Sequence, residues 1–160
     1  MVMQTIQLTL GEILLLKEEL FGTNHPVSGE LIKKGLLNQN IPIKLKYWLN
    51  VLGETVNLED KMIKISYNDL GFKYGQQDEK GNVVIQPYTK VEDGVDEKNN
   101  PKYIYIPNSG FLDFQEDYSF LLETLKEIQY TPFKLSEIEN LTFEENYPIF
   151  NRLIINDKEI

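Results

Sequence analysis

The side chains able to do chemistry are few, and their spacing identifies no reaction. His25 is the only histidine and sits beside Pro26 in a turn. A general base needs a nucleophile within hydrogen-bond reach and a third group to orient it, and the sequence alone supplies no such geometry. The chain also lacks a glycine-rich phosphate loop, a serine nucleophile elbow and a histidine-based metal motif. We therefore predict no catalytic residue and no enzyme activity.

Acidic side chains dominate the remaining candidates. Asp93, Asp96 and Glu97 offer oxygen ligands of the kind Ca²⁺ binds, but they lack the ligand and glycine spacing of an EF-hand, and a solvated loop explains them better. The chain has no cysteine, which excludes disulfides and cysteine-based metal sites. We predict no metal site and no cofactor. Other carboxylates fall where helix N-termini are expected and need no catalytic role: Glu144 and Glu145, and Asp113 with Glu116 and Asp117.

Aromatic residues are more informative than charged ones. The chain has nine Tyr and eight Phe, and tyrosine suits protein interfaces because its ring is apolar while its hydroxyl stays polar. We predict an interface that uses Trp48, Tyr103, Ile104, Tyr105, Ile106 and Tyr118.

Composition predicts a single folded domain. The chain has 160 residues, of which 41% are hydrophobic, and this length suffices to bury about two thirds of the unfolded surface. We predict one domain over residues 1–160, with residues 85–110 as a protruding β and loop arm. The net charge of −9 opposes the counterion release that drives proteins onto DNA, so we expect no direct nucleic-acid binding.

No membrane or secretion signal is expected. The apolar run Ile13–Leu16 has no positive segment before it, so it is not a signal peptide, and no apolar run is long enough to cross a bilayer. A cytosolic soluble protein is the default expectation.

The segment Ile41–Tyr74 is predicted to form one long helix, and we expect the other elements, including the predicted interface, to pack along it or be attached to it. Pro42 suits the first helical position and Gly75 the end, while Gly53 could bend the helix. At 1.5 Å per residue the helix would reach about 50 Å, so part of it must project or be covered by a partner. One stripe is predicted to be buried, with Trp48, Met62 and Tyr67 widening it: Leu45, Leu49, Leu52, Val56, Ile63 and Leu70.

A second long helix is predicted over residues 113–128, capped by Asp113, and the two helices would form a helical hairpin. Between them, residues 83–86 are expected to pair with 102–106 around an exposed loop, forming an inserted β-hairpin. Gln76–Asn82 reads as a polar turn that leads into it. Two strands alone are marginal in water, so this hairpin needs a surface to lie on.

The N-terminal region is predicted to form a helix that starts at Thr9. Thr9 and Glu12 fit a capping box and Gly22 marks the end. Gln4–Leu8 precedes the helix as a short strand or as an extended arm, of which we favour the arm. Either a short helix from Ser28 to Lys34 or a tight turn at Lys33–Gly35 is expected next. The face of the first helix predicted to be buried consists of Leu10, Ile13, Leu14, Lys17 and Phe21.

Two short helices are predicted near the C-terminus. An edge strand is expected over residues 128–135, because Pro132 interrupts it. Capping boxes at Ser136–Glu139 and Thr142–Glu145 would then start the two helices, with Pro148 restricting the second. The expected fold class is therefore α+β, mainly helical, with a long helical hairpin, an inserted β-hairpin and short C-terminal helices.

The order of several segments resembles small proteins encoded near the structural genes of tailed phages. The segments are TLGEI with LKEELFG, GLLNQNIPIKLKYWLN, KYGQQDEKGNVVI, FQEDYSFLLETLKEIQYTPFKLSEIENL and EENYPIF. The resemblance covers most of the chain. Residues 86–110, with the strand KYIYIP, depart from the compact turn of that pattern and read as an added interaction arm.

The resemblance implies a non-enzymatic virion protein, assembled in the host cytoplasm. It would form a homo-oligomeric ring in the neck or tail, or act as a head–tail connector, with portal, neck or tail subunits as partners. Rings of this kind use heterologous interfaces. The alternatives are a tail-assembly chaperone and a small acidic inhibitor that binds a basic groove of a host protein. An enzyme built around His25 is the third hypothesis.

Overall fold

The computed structural model describes residues 2–77, 79–81, 83–143 and 145–158. They form two compact units, one of Met1–Ile63 with Leu122–Ile160 and one of Lys64–Leu121. The fold is α+β and mainly helical, as predicted. Predictions that fall on Asp78, Asn82, Glu144 and residues 159–160 lie outside the described residues.

The elements follow one another along the chain with short connections. They are β1 (Gln4–Thr9), α1 (Leu10–Phe21), β2 (Thr23–Asn24), β3 (Leu31–Lys33), a 3₁₀ turn (Leu36–Asn38), α2 (Ile43–Tyr74), β4 (Gln76–Gln77), β5 (Val83–Val84), β6 (Tyr88–Val95), β7 (Pro101–Pro107), α3 (Ser109–Leu122), β8 (Leu125–Tyr130), β9 (Phe133–Lys134), α4 (Leu135–Ile138), α5 (Pro148–Asn151) and β10 (Ile154–Ile155).

The capping box that starts α1 is confirmed. The Thr9 hydroxyl accepts from the Glu12 N–H at 3.0 Å, and the Glu12 carboxylate accepts from the Thr9 N–H at 3.0 Å. The buried face of α1 differs from the prediction, however. Phe21 is 37% exposed and Lys17 is half-buried, since the helix turns a neighbouring stripe toward the core. That stripe consists of Ile13, Leu16, Glu19 and Leu20.

The predicted N-terminal arm is a strand. β1 pairs antiparallel with β8 over six residues, from Gln4 opposite Tyr130 to Thr9 opposite Leu125. The same pairing overturns the prediction that the second long helix reaches Ile128, because α3 ends at Leu122. Alternate backbone N–H and C=O groups in both segments pair with the partner strand, and this long-range gain outweighs the local helical pattern.

The predicted helix from Ser28 to Lys34 is also wrong. This stretch turns back so that β3 pairs antiparallel with β2, directly after α1. The chain approaches the end of α1 closely, since a Cβ on Gly35 would lie 2.5 Å from the Gly22 nitrogen. Gly22 itself has φ 79°, in the region that favours glycine.

The long helix is confirmed, and α2 runs unbroken through Gly53. The small size of Gly53 has a packing reason, because an added Cβ would lie 2.8 Å from the Phe21 ring. The predicted stripe is buried from Leu45 to Ile63, and Leu70 is half-buried, but Met62 is 52% exposed and does not belong to it. The main core, in the first unit, centres on Leu8, Ile13, Leu16, Leu20, Leu36, Leu49, Val56, Tyr147, Phe150 and Leu153.

The C-terminal segment closes the first unit. β10 pairs parallel with β9, and α4 and α5 are both short. Ser136 does not cap its helix. Its N–H and hydroxyl instead donate to the Asp157 carboxylate, at 3.0 and 2.5 Å. A helix starting at Thr142 is wrong as well, because α5 begins at Pro148, which occupies the first turn.

The second unit contains the predicted helical hairpin. The Tyr67 ring on α2 lies 5.1 Å from the Phe114 and Tyr118 rings of α3, and the Tyr74 hydroxyl donates to Asp117 at 2.5 Å. Asp113 does not cap α3, since the helix already begins at Ser109. The Asn108 side chain accepts from the Gly110 N–H at 3.1 Å instead.

The inserted β-hairpin is present with a different partner strand. β7 pairs with β6, within the stretch predicted as an exposed loop, whereas β5 pairs with β4. Within the described residues, no helix combines the length and the apolar character needed to cross a membrane.

Candidate protein–protein interface

The β6–β7 hairpin is built by its turn. The Asp96 carboxylate accepts from the N–H groups of Lys98 and Asn100 at 2.9 and 2.8 Å, and Asn99 takes a φ of 66°. These contacts are those of an Asx-type turn, which positions the two strands for pairing. At the other end the Asn108 N–H donates to the Pro87 carbonyl at 2.9 Å and closes the hairpin base.

The strand register places different side chains on the two faces of the hairpin. Lys90 lies opposite Tyr105 and Val91 opposite Ile104. Since side chains alternate along a strand, one face is aliphatic and the other is aromatic and charged. The aliphatic face carries Thr89, Val91, Ile104 and Ile106, and the tyrosine face carries Tyr88, Lys90, Glu92, Tyr103 and Tyr105.

Both faces of the hairpin are exposed to solvent. Every residue of β6 and β7 is exposed. Tyr105 is exposed by 64% and Ile106 by 47%. The Lys90 ammonium lies 3.9 Å from the centre of the Tyr103 ring, a cation–π contact that orders the tyrosine face. Large apolar groups on a surface of this kind are typical of sites that bind another protein.

The edges of the hairpin are a second feature open to binding. β6 and β7 form a sheet of two strands, and in the part of the chain that the structure describes no further strand joins it. Each outer edge therefore presents backbone N–H and C=O groups that a strand from another chain could pair with.

Trp48 lies in the first unit, on the N-terminal half of α2. It is half-buried, packs against the core, and meets the Tyr47 ring edge to face at 5.0 Å. Beside it opens a cleft of about 260 Å³ whose walls include Lys44, Pro132 and Lys134. The indole therefore contributes to core packing and also lines a concave surface.

Tyr118 lies on α3 and is half-buried. Its ring stacks on Phe114 at 6.0 Å and meets Tyr67 edge to face at 5.1 Å. Of the six residues predicted for the interface, four therefore lie together on β7, while Trp48 and Tyr118 lie on helices and pack against their neighbours. Tyr103 and Tyr105 share one face of the hairpin, and Ile104 and Ile106 share the other.

His25 has a structural role in its turn. Its Nδ1 accepts from the N–H groups of Val27 and Ser28 at 3.2 and 3.1 Å. The nitrogen that a general base would use on this side is occupied by the backbone. Asp96, from the acidic cluster of Asp93, Asp96 and Glu97, also has a structural role, because its carboxylate accepts backbone hydrogen bonds in the hairpin turn. Over the described residues no three His, Cys, Asp or Glu side chains come together as a metal site.

Sequence reasoning missed β6, which forms half of the hairpin. Its strand residues Thr89 and Val91 are β-branched, a usable signal, but Lys90, Glu92 and Asp93 between and after them suggested a loop. The hairpin buries neither face, so no alternation of apolar and polar residues was required of it.

The fold is that of an α+β protein that exposes a two-stranded sheet with apolar side chains. No protein-family model, no curated protein and no solved structure matches the chain.

Proposed function

We propose that this chain is a non-enzymatic structural subunit of a tailed-phage virion. It forms a ring in the neck or tail, or at the head–tail connector, and works through contacts with other virion proteins such as portal, neck or tail subunits. It reaches the virion by assembly in the host cytoplasm. The phage context rests on the order of segments in the sequence, and the binding role rests on the hairpin.

The observation that carries the proposal is the complete exposure of β6 and β7. A two-stranded sheet is marginal in water, so a hairpin with apolar side chains on both faces gains most from a neighbouring surface. In a ring, each subunit would place its hairpin on a different patch of the next subunit, which is the heterologous contact that closes a cycle. The net charge of −9 fits contacts with protein better than contacts with DNA.

The test compares a hairpin variant with a matched control. Ile104→Asp with Ile106→Asp places charge on the aliphatic face, whereas Glu97→Gln changes an exposed residue in the turn. Size-exclusion chromatography with light scattering is run on each pure protein, alone and with the portal and neck proteins of the same phage. We expect the wild type and Glu97→Gln to form rings with the portal and neck proteins, and we expect the aspartate variant to form none.

Mass spectrometry of purified virions distinguishes the alternatives. A ring subunit is present in the particle in a fixed stoichiometry. A tail-assembly chaperone is needed for particle formation and absent from the particle, and an acidic inhibitor is pulled down with a host protein instead. A chain that is strictly monomeric with every partner and absent from virions contradicts the proposal.

A further inference from the structure

A second apolar surface lies on α2, in the first unit, on a face away from the core. We call it the outer stripe and define it as Tyr47, Val51, Leu58 and Met62. These side chains are exposed by 60%, 38%, 60% and 52%. An amphipathic surface helix normally has one apolar stripe and a polar opposite side. This part of α2 has two.

From Val51 to Met62 the spacing of the outer stripe is that of a coiled-coil seam, and Tyr47 lies at the flanking position beside it. The members of the stripe are separated by four, seven and four residues, so they stay on one side of the helix. In heptad terms Val51 and Leu58 occupy one core position, and Met62 occupies the other. The stripe lies well apart from the buried Val56, because two residues along a helix correspond to about 200° around its axis.

Charged residues flank the stripe in a pattern that selects a partner. Glu54 and Lys61 are both exposed and are seven residues apart, so they occupy the same flanking position of successive heptads. Suppose two copies of α2 pack antiparallel about a two-fold axis near residues 56 and 57. Glu54 of each copy then lies beside Lys61 of the other, and both symmetric pairs are attractive.

A parallel pair is disfavoured by the same residues. In a parallel, in-register coiled coil, Glu54 lies beside Glu59 of the second copy, which brings two carboxylates together on each side. Glu59 is also engaged with Lys126 of its own chain, at 3.6 Å. Charge complementarity therefore favours an antiparallel arrangement. Both members of each attractive pair, Glu54 and Lys61, belong to this chain, so the fitting partner is a second copy of it.

We propose that the outer stripe binds a second copy of this chain, antiparallel, so that Val51 packs against Met62 of the second copy and Leu58 packs beside Thr55. The contact goes beyond the ring function and does not depend on it, because it uses residues of the first unit only and is isologous. A hairpin contact joins different patches, whereas this contact joins the same patch twice.

The first test measures mass by sedimentation equilibrium at low salt. The wild type is expected at twice the chain mass of 18.7 kDa, and Leu58→Glu is expected at the mass of one chain. Asn57→Glu is the matched control, since it adds the same charge at an exposed position one residue away, off the stripe. Circular dichroism should show equal helix content in all three proteins, because neither site is buried.

The second test exchanges the charges. Glu54→Lys and Lys61→Glu should each weaken the dimer several-fold at low salt, because each creates like-charged pairs. The double variant should restore the wild-type dimer constant. These effects should shrink at high salt, where exposed charges are screened.

Disulfide cross-linking tests the antiparallel orientation of the two helices. The chain has no native cysteine, so only the introduced cysteines can form disulfides. A mixture of Val51→Cys and Met62→Cys chains should form the mixed disulfide under mild oxidation, while neither variant alone should cross-link to itself. Self-cross-linking of Met62→Cys, a dimer unaffected by Leu58→Glu, or a wild type that is monomeric at its highest soluble concentration would each overturn the proposal. The aspartate variants of Ile104 and Ile106 should keep this dimer, which separates its failure from failure of the ring.

Discussion

The most consequential single side chain in the first unit is the buried carboxylate of Glu19. It is 2% exposed, and its two oxygens accept from the backbone N–H groups of Ile149 and Phe150 at 3.1 and 2.9 Å. These are N–H groups of the first turn of α5, which have no partner within the helix. Glu19 therefore connects α1 by hydrogen bonds to the C-terminal segment, 130 residues away in the sequence.

Removing this carboxylate should destabilise the fold. Glu19→Ala leaves two buried N–H donors without an acceptor, and each such donor costs about 1–3 kcal/mol. We expect the free energy of unfolding to fall by about 2–5 kcal/mol. The free energy of unfolding should fall less in Glu19→Gln, because the glutamine amide oxygen still accepts from one N–H. Urea denaturation followed by circular dichroism measures both.

Glu18→Ala is the control for this pair, because Glu18 is its exposed neighbour on the same helix. Its effect should stay within about 0.5 kcal/mol. A Glu19→Ala protein as stable as Glu18→Ala would contradict the role we assign to the buried carboxylate.

A second buried polar contact joins distant segments of the first unit in the same way. The Tyr147 hydroxyl donates to the Lys34 carbonyl at 2.6 Å and accepts from the Gln39 amide at 2.9 Å. Tyr147 is 1% exposed, so its polar tip required such partners. Both partners are distant in sequence and are visible only in the folded chain.

Among the elements, the β6–β7 hairpin differs most from the rest. Every residue of its two strands is exposed, whereas β1 and β8 contribute the buried Leu8, Ile128 and Tyr130 to the core. The hairpin is held by strand pairing and by the Asp96 turn, and it contributes no buried apolar side chain. Its contribution to stability should be correspondingly small.

Deleting the hairpin should therefore leave the fold intact and abolish assembly. Tyr88–Pro107 is replaced by a short glycine linker, which is feasible because the Asn108 N–H lies 2.9 Å from the Pro87 carbonyl oxygen. We expect the free energy of unfolding to change by less than about 1 kcal/mol, as measured by urea denaturation. Light scattering with virion partners should show no complex. A globally unfolded deletion protein would show that the hairpin belongs to the folding unit.

At the scale of the whole molecule, the net charge of −9 reflects an excess of carboxylates, so the stability of the fold is expected to change in the acidic range of pH, where carboxylates titrate. Two carboxyls have a lowered pKa in the folded chain. Backbone hydrogen bonding by Thr9, together with Arg152, lowers the pKa of Glu12. Hydrogen bonds from the Ser136 hydroxyl and N–H lower the pKa of Asp157. Arg152 also forms an ion pair with Glu12, which links α5 to the start of α1.

The direction of the pH effect follows from these shifts. A carboxyl whose pKa is lower in the folded state contributes stability above its unfolded pKa, which is 4.5 for Glu12 and 3.8 for Asp157. That contribution is lost as the pH falls through the folded pKa, because the unfolded chain binds more protons. We expect stability to decline below about pH 4.5, as measured by urea denaturation from pH 7 to pH 3.

Glu12→Gln should flatten this decline. Glutamine keeps the capping-box geometry but does not titrate, so the variant is less stable at pH 7 and closer to the wild type at pH 3. Glu18→Gln, at an exposed position of the same helix, is the matched control. An acid profile of Glu12→Gln that runs parallel to the wild type would contradict the assignment.

Elements that depend on local chemistry could be predicted from the residues alone. The capping box at Thr9, the run of α2 to Tyr74, and its stripe from Leu45 to Ile63 all follow from spacing and from residue type. The strand KYIYIP followed from its aromatic and branched residues. The α+β class was predictable for the same reason.

The pairing of segments and the burial of helix faces depend on contacts between residues distant in the sequence, so they became known from the folded chain. Residues 125–128 were predicted as the end of a helix, yet they lie in β8 because β1 pairs with that strand over six residues. Met62 fits the periodicity of α2 as well as Ile63 does, but one is exposed and the other buried. Periodicity reports that a stripe is apolar. What covers that stripe depends on elements far away in the chain.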